Sequence, residues 1–244
     1  MRFSFFRKSL PYRPLALAAL VQVLVFFFVL ASLPCPGLCQ ELILGDFSKG
    51  IPEGWKEHAF VGHTRYAPGT EDGIACLRAE SDAAASALIH EVSYNLTDYP
   101  YLSFSWKVGN TVKAGDEKTK QGDDYAARIY LVFKSFFFFN TKSINYIWAN
   151  KLPLGQAIPN AYTKNVWMVA VESGPENVGQ WRHYTVDVLS DYRRLFKTDP
   201  PPVAAVAIMT DTDNTKSRAA ACYGPIRALK SPPEKPEAPR TPTP

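Results

Sequence analysis

The chain reads as a mostly β protein, an antiparallel β-sandwich of jelly-roll type with one short helix. Three observations carry that reading. Two stretches alternate apolar and polar residues with period two, at Tyr101–Val108 and Tyr125–Phe133. About ten short strand-like segments follow one another with turn residues between them. Helical signals gather in one place only, near residue 190.

In the first stretch Leu102, Phe104, Trp106 and Val108 point one way, and Tyr101, Ser103, Ser105 and Lys107 the other. In the second, Ala127, Ile129, Leu131 and Phe133 oppose Ala126, Arg128, Tyr130 and Val132. Shorter candidates are Glu41–Leu44, Ile74–Ala79, Ala87–Tyr94, Ile144–Ala149, Met168–Val171, His183–Val188, Val203–Met209 and Ala220–Leu229. A helix is expected at Ser190–Phe196, ended by Pro200, Pro201 and Pro202. Residues 40–230 are long enough for one domain with its own core, and no repeat or linker divides them.

The ends differ in kind. Arg2, Arg7, Lys8 and Arg13 precede an apolar run, Leu15–Leu33, and a turn through Pro34, Cys35, Pro36 and Gly37. Basic, apolar, then small is the order of a secretory signal. Residues 1–39 are therefore expected to be a signal peptide cut near Cys39–Gln40, or else an N-terminal anchor kept in the inner membrane through residues 15–33. Either way the domain is exported to the periplasm or beyond. The chain carries 27 basic and 23 acidic residues; without the segment the two signs balance. A neutral domain excludes a nucleic-acid partner, which needs a basic surface. Residues 231–244, rich in Pro, are expected to form a disordered tail.

Cys76 and Cys222 are the two cysteines left in the domain. In an oxidising compartment they can bond, joining an early strand to the last one; two buried thiols are the alternative.

Three clusters bear on function. Gly122-Asp123-Asp124-Tyr125 leads into a strand that carries Arg128 and Tyr130 on one face. Carboxylate, guanidinium and phenol together can hydrogen-bond a polyhydroxylated ligand. Thr210-Asp211-Thr212-Asp213-Asn214-Thr215 supplies oxygen ligands of the kind calcium takes. It lacks the glycine and closing glutamate of an EF-hand, so Asp211 and Asp213 are weak metal candidates, and an Asx-turn is the simpler reading. No cofactor is expected, a divalent cation such as calcium being the alternative. The third cluster is aromatic. Four phenylalanines, Phe136–Phe139, cannot all point inward from a strand, and Tyr146 and Trp148 share one face that can stack on sugar rings. No G-x-S-x-G or H-E-x-x-H motif is present, and the four histidines are scattered.

Taken in order, "FSKGIPEGW" at 47–55, "YPYLSFSWKV" at 99–108, "GDDYAARIYLVF" at 122–133, "INYIWA" at 144–149, "DYRRLF" at 191–196 and "IMTDTDNT" at 208–215 resemble the bacterial exported family called domain of unknown function 3047. The resemblance implies an envelope or secreted bacterial protein. "DFSKG" with a following "GW", and then "YPYLSFSWKV", is also similar to galactose-binding-like jelly rolls, which implies fold more than activity. Phe136–Phe139 is more apolar than the surrounding motifs lead one to expect.

The reading this supports is a non-catalytic binding module of the cell envelope. Lys107, Asp123, Asp124, Arg128, Tyr130, Tyr146, Trp148, Asp211, Asp213 and Asn214 would hold a glycan or similar polar ligand. The alternatives are a carbohydrate-active hydrolase using paired Asp residues, and a structural partner of an envelope assembly docking through Phe136–Phe139.

Overall fold

The computed structural model describes residues 41–135 and 140–233. Residues 1–40, where a signal peptide or anchor is expected, the phenylalanine run and most of the Pro-rich C-terminal residues lie outside them. Thirteen strands and one α-helix are present among the described residues. In chain order the strands are β1 (Glu41–Gly45), β2 (Trp55–Val61), β3 (Arg65–Glu71), β4 (Ile74–Asp82), β5 (Ala85–Tyr94), β6 (Tyr101–Val108), β7 (Tyr125–Phe133), β8 (Lys142–Ala149), β9 (Ala157–Pro159), β10 (Val166–Ser173), β11 (Trp181–Asp187), β12 (Val203–Asp211) and β13 (Arg218–Leu229). The helix α1, Val188–Phe196, lies between β11 and β12.

The strands make two sheets. One runs β11-β6-β13-β4-β3, with β1 added on β13; the other runs β2-β5-β12-β7-β8-β10-β9. Pairing is antiparallel except between β8 and β10, which run parallel. That pair makes the second sheet mixed, a departure from a purely antiparallel sandwich. It arises because the chain leaves β8, forms β9 on the far side of β10, and returns to lie beside β8.

The core lies between the sheets. Leu102, Phe104, Trp106 and Val108 of β6 are all at most 2% exposed, and Ile129, Leu131 and Phe133 of β7 at most 1%. The alternation in both strands thus marks the inward face. Rings meet across the interface, Phe104 with Tyr146 at 6.2 Å and Trp106 with Trp148 at 6.5 Å between centroids. Such aromatic contacts add to the area they bury. Cys76 of β4 and Cys222 of β13 form a disulfide between neighbouring strands, 146 residues apart in sequence.

Three strands carry no alternation to read. β2 is an edge strand whose residues after Trp55 are all exposed. β3, at the edge of the other sheet, contains Pro68 and Gly69, which are tolerated there because an edge needs only one side of its ladder. β9 has three residues.

The helix begins two residues before the expected Ser190. Asp187 is the reason: its side chain accepts from the Ser190 amide at 2.9 Å and from the Ser190 hydroxyl at 2.8 Å. It satisfies amide hydrogens that the first turn leaves unpaired. Asp187→Ala is expected to cost about 1 kcal/mol in a urea melt. No measurable change would show that the exposed cap is replaced by water without loss.

Candidate functional site

The outer face of the seven-stranded sheet carries the cleft of interest. On β7, Arg128 and Tyr130 alternate with the inward Ile129 and Leu131, so both point outward. Register places Met209 of β12 opposite Arg128, and Asn145 of β8 opposite Tyr130. Asp211 lies at the end of β12, Asp213 and Asn214 in the loop beyond it, and Asp123 just before β7. Phe60 of edge strand β2 and Tyr162, in the loop between β9 and β10, stand on the rim. Together with Ala85, Asn160 and Val166 these residues line a cleft of about 400 Å³, within the roughly 300–1,000 Å³ range of small-ligand sites.

The floor is an ion pair. Arg128 is 5% exposed and donates through Nη2 to Asp211, which is 1% exposed. Its Nη1 lies 4.0 Å from Asp123. The guanidinium is also stacked near the rings of Tyr125 and Tyr130, 4.7 and 5.3 Å from their centroids. Burial pushes the Asp211 carboxyl well above its ordinary range; Arg128 opposes this, and Asp124, Asp123 and Asp213 reinforce it. For Arg128, burial disfavours the charge, but Asp211 first, then Tyr130 and Asp123, outweigh it, and its pKa lies above the ordinary value. If the pair loses charge, it does so on the Asp211 side. Two of its atoms, Arg128 Nε and Asp211 Oδ1, are buried without a hydrogen-bond partner.

Asp124 has a different job from the one its sequence position proposes. It is fully buried. Its Oδ1 accepts from the Asn214 amide at 3.1 Å and its Oδ2 from the Thr215 amide at 2.6 Å and hydroxyl at 2.5 Å. The Asn214 side-chain amide adds a fourth donor at 3.3 Å. A carboxylate offers about four lone-pair sites, and these are taken. Asp124 therefore shapes the 213–215 turn and places Asp213 and Asn214 at the cleft, without lining the cleft itself. One oxygen from each of Asp124, Asp211 and Asp213 still lies within 4.8 Å of the others.

Three other proposed positions are corrected. Tyr146 and Trp148 are fully buried in the inter-sheet core, where Trp148 Nε1 donates to the Gly174 carbonyl and the Tyr146 hydroxyl to Asp191. Neither presents a ring to a ligand. The outward residues of β8 are Ser143, Asn145, Ile147 and Ala149, and the last two cluster with Leu152 and Met168. Lys107 lies in the other sheet, where its ammonium pairs with Asp72 at 2.9 Å and lines a separate groove with Glu71 and Arg78.

Phe60 and Tyr162 were not legible as site residues. Phe60 is 59% and Tyr162 54% exposed. The Tyr162 hydroxyl lies 3.1 Å from Asn214 Oδ1 and 3.2 Å from the Lys120 carbonyl, tying the rim to both flanking loops. Asn160 Nδ2 donates to Asp123 Oδ1 at 3.0 Å, as does the Tyr125 hydroxyl. No helix among the described residues is long and apolar enough to cross a membrane.

Comparison with known proteins gives one family. Residues 53–227 match the model described as "Protein of unknown function (DUF3047)". No curated protein matches. Solved structures with a similar arrangement include the glycoside hydrolase domain of Endo-D from Streptococcus pneumoniae R6, at 11% identity and TM-score 0.38, covering 74% of this chain and 22% of that one. The chain thus spans about a fifth of that structure's length. A family 29 carbohydrate binding module, CBM29-2, matches at 11% identity and TM-score 0.39, covering 78% of this chain and 92% of that one. The xyloglucanase domain of NopAA from Sinorhizobium fredii, in complex with cellobiose, matches at 12% identity and TM-score 0.43, covering 73% and 95%. The family match extends over most of the sandwich, and the chain belongs to the DUF3047 family.

Proposed function

We propose that this DUF3047 domain is a non-catalytic binding module that takes a glycan in the cleft of its seven-stranded sheet. One observation carries the reading: a buried Arg128–Asp211 pair forms the floor between two exposed aromatic rings, Phe60 and Tyr162. A sugar ring has apolar C–H faces and a hydroxyl edge. Exposed aromatics suit the faces, and fixed planar donors and acceptors suit the edge. Asn145, Asn160 and Asn214 line the same cleft with amide groups that both donate and accept.

The test is a glycan array followed by titration of the best binder. Phe60→Ala and Tyr162→Ala are each expected to weaken binding roughly three- to tenfold, the share that one aromatic contact contributes. Phe60 is exposed, so its replacement should hardly move the melting temperature; Tyr162→Ala also loses two hydrogen bonds and should lower it slightly. Binding to no glycan, or binding indifferent to both variants, would overturn the proposal.

The hydrolase alternative gains from the proximity of Asp124, Asp211 and Asp213. It is weakened because Asp124 is saturated by donors and Asp211 is committed to Arg128. Two free carboxylates facing a glycosidic bond are what that chemistry needs. Docking through Phe136–Phe139 concerns residues outside those described. We further propose that the domain works outside the cytoplasm. The basic–apolar–turn order of residues 1–39 supports this, as does a disulfide, which persists in oxidising compartments.

A further inference from the structure

The charge of the cleft is unbalanced. Asp123, Asp211 and Asp213 line it, and Asp124 lies directly behind. Arg128 is the one cation among the lining residues, and it is already engaged by Asp211 and Asp123. Two further cations stand outside the lining: Lys120, over the Tyr162 ring at 5.1 Å, and the exposed Lys216, whose charge acts weakly on Asp213. Clustered carboxylates repel one another, and a cleft with low-dielectric walls focuses their field on whatever enters.

A second observation is independent of the charge count. Asp211 is 1% exposed, yet its Oδ1 has no hydrogen-bond donor. A buried acceptor left bare is costly and marks a missing partner. The partner the surroundings favour is a donor with positive charge, since Asp213 lies close by and Asp124 has no lone pair to spare.

We propose that the cleft selects a positively charged glycan, of amino-sugar type, whose ammonium group is taken between Asp211 and Asp213. Uronate and phosphate-bearing sugars are excluded by the same field. The inference rests on the glycan reading above and names the class of sugar. Burial and the neighbouring Asp124 also push the Asp213 carboxyl above its ordinary value, outweighing the opposing influence of Arg128 and Lys216.

The test titrates the full domain with three soluble probes: fully deacetylated glucosamine oligomers, their N-acetylated counterparts, and oligogalacturonate. It is run at mildly acidic and at neutral pH, because both carboxyls titrate above their ordinary range, and with and without calcium chloride or EDTA. Glucosamine oligomers should bind at least about tenfold tighter than the N-acetylated form, the factor one charge-assisted hydrogen bond supplies. The preference should shrink with added salt and in Asp213→Asn. Equal affinity for the two forms, or a preference for galacturonate, overturns the charge inference and leaves the glycan reading standing. Calcium that raises the melting temperature and is needed for binding puts a metal in the carboxylate group, and likewise overturns it. No binding by any probe or by any arrayed glycan removes both. Should Asp213→Asn fold poorly, the comparison of the two glucosamine forms on the unaltered protein decides alone.

Discussion

Replacing Cys76 and Cys222 together by alanine is expected to lower the folding free energy by about 4–5 kcal/mol. The bond joins residues 146 apart, so it closes a loop spanning most of the domain. In the chain-entropy picture the loss grows with the logarithm of loop length, and loops beyond about 100 residues lie near the upper end of the usual range. Alanine is the right replacement because both cysteines are nearly inaccessible, and serine would bury a hydroxyl without a partner. The domain should remain folded, since its core draws on both sheets and does not depend on the bond for apolar burial. Guanidinium melts of the two proteins check this. A loss below about 1 kcal/mol would mean that the unfolded chain is already held together near these strands. A further consequence concerns the cleft. The bond ties β4 to β13, in the six-stranded sheet, while the cleft lies on the other sheet. Binding by the folded fraction should therefore be unchanged.

How much the sequence discloses depends on whether a strand has one buried face or two. β6 and β7 show their inward faces by alternation because their outward faces are polar or carry Arg128 and Tyr130. β8 is buried on both sides: Tyr146 and Trp148 pack between the sheets, while Ile147 and Ala149 cluster with Leu152, Met168 and Ala170. Apolar residues on both faces remove the parity signal, so the two aromatic rings can be assigned to the wrong side. Asn145, on the outward parity, was the better pointer. The acidic clusters at 123–124 and 211–214 are adjacent in sequence to long strands, and the pairing of β7 with β12 brings them together. Their proximity is thus a consequence of strand order, which local pattern does not encode. Phe60 sits on an edge strand without alternation, and Tyr162 on a loop held by long-range contacts. Nothing local distinguishes either from an ordinary surface aromatic.

The buried ion pair should respond unequally to the loss of its two members. Asp211→Leu leaves Arg128 charged in a site where it is 5% exposed, with Asp123 at 4.0 Å as its remaining counter-ion. A guanidinium does not release its proton at accessible pH, so the buried charge stays with a single, more distant partner, and the loss should approach that of a broken buried pair, about 3–5 kcal/mol. Arg128→Met removes the cation instead. Asp211 can then take up a proton, because burial already raises its pKa and the opposing influence of Arg128 is gone. A carboxyl whose folded pKa is raised contributes stability at low pH and loses it as pH rises through that pKa. Arg128→Met should therefore be close to the unaltered protein near pH 5 and fall behind it toward pH 8, whereas Asp211→Leu should be poor at both. Replacing both residues restores an uncharged floor and should recover most of the stability, as substitution of buried ion pairs by apolar groups often does. Urea melts of the three variants at the two pH values separate these outcomes. Equal losses at pH 5 in both single variants would show that packing, and not charge, sets the cost. The double variant also divides structural from functional roles: if it folds as well as the unaltered protein yet binds no glycan, the pair is kept for recognition, and the buried charge is a cost the fold carries for its ligand.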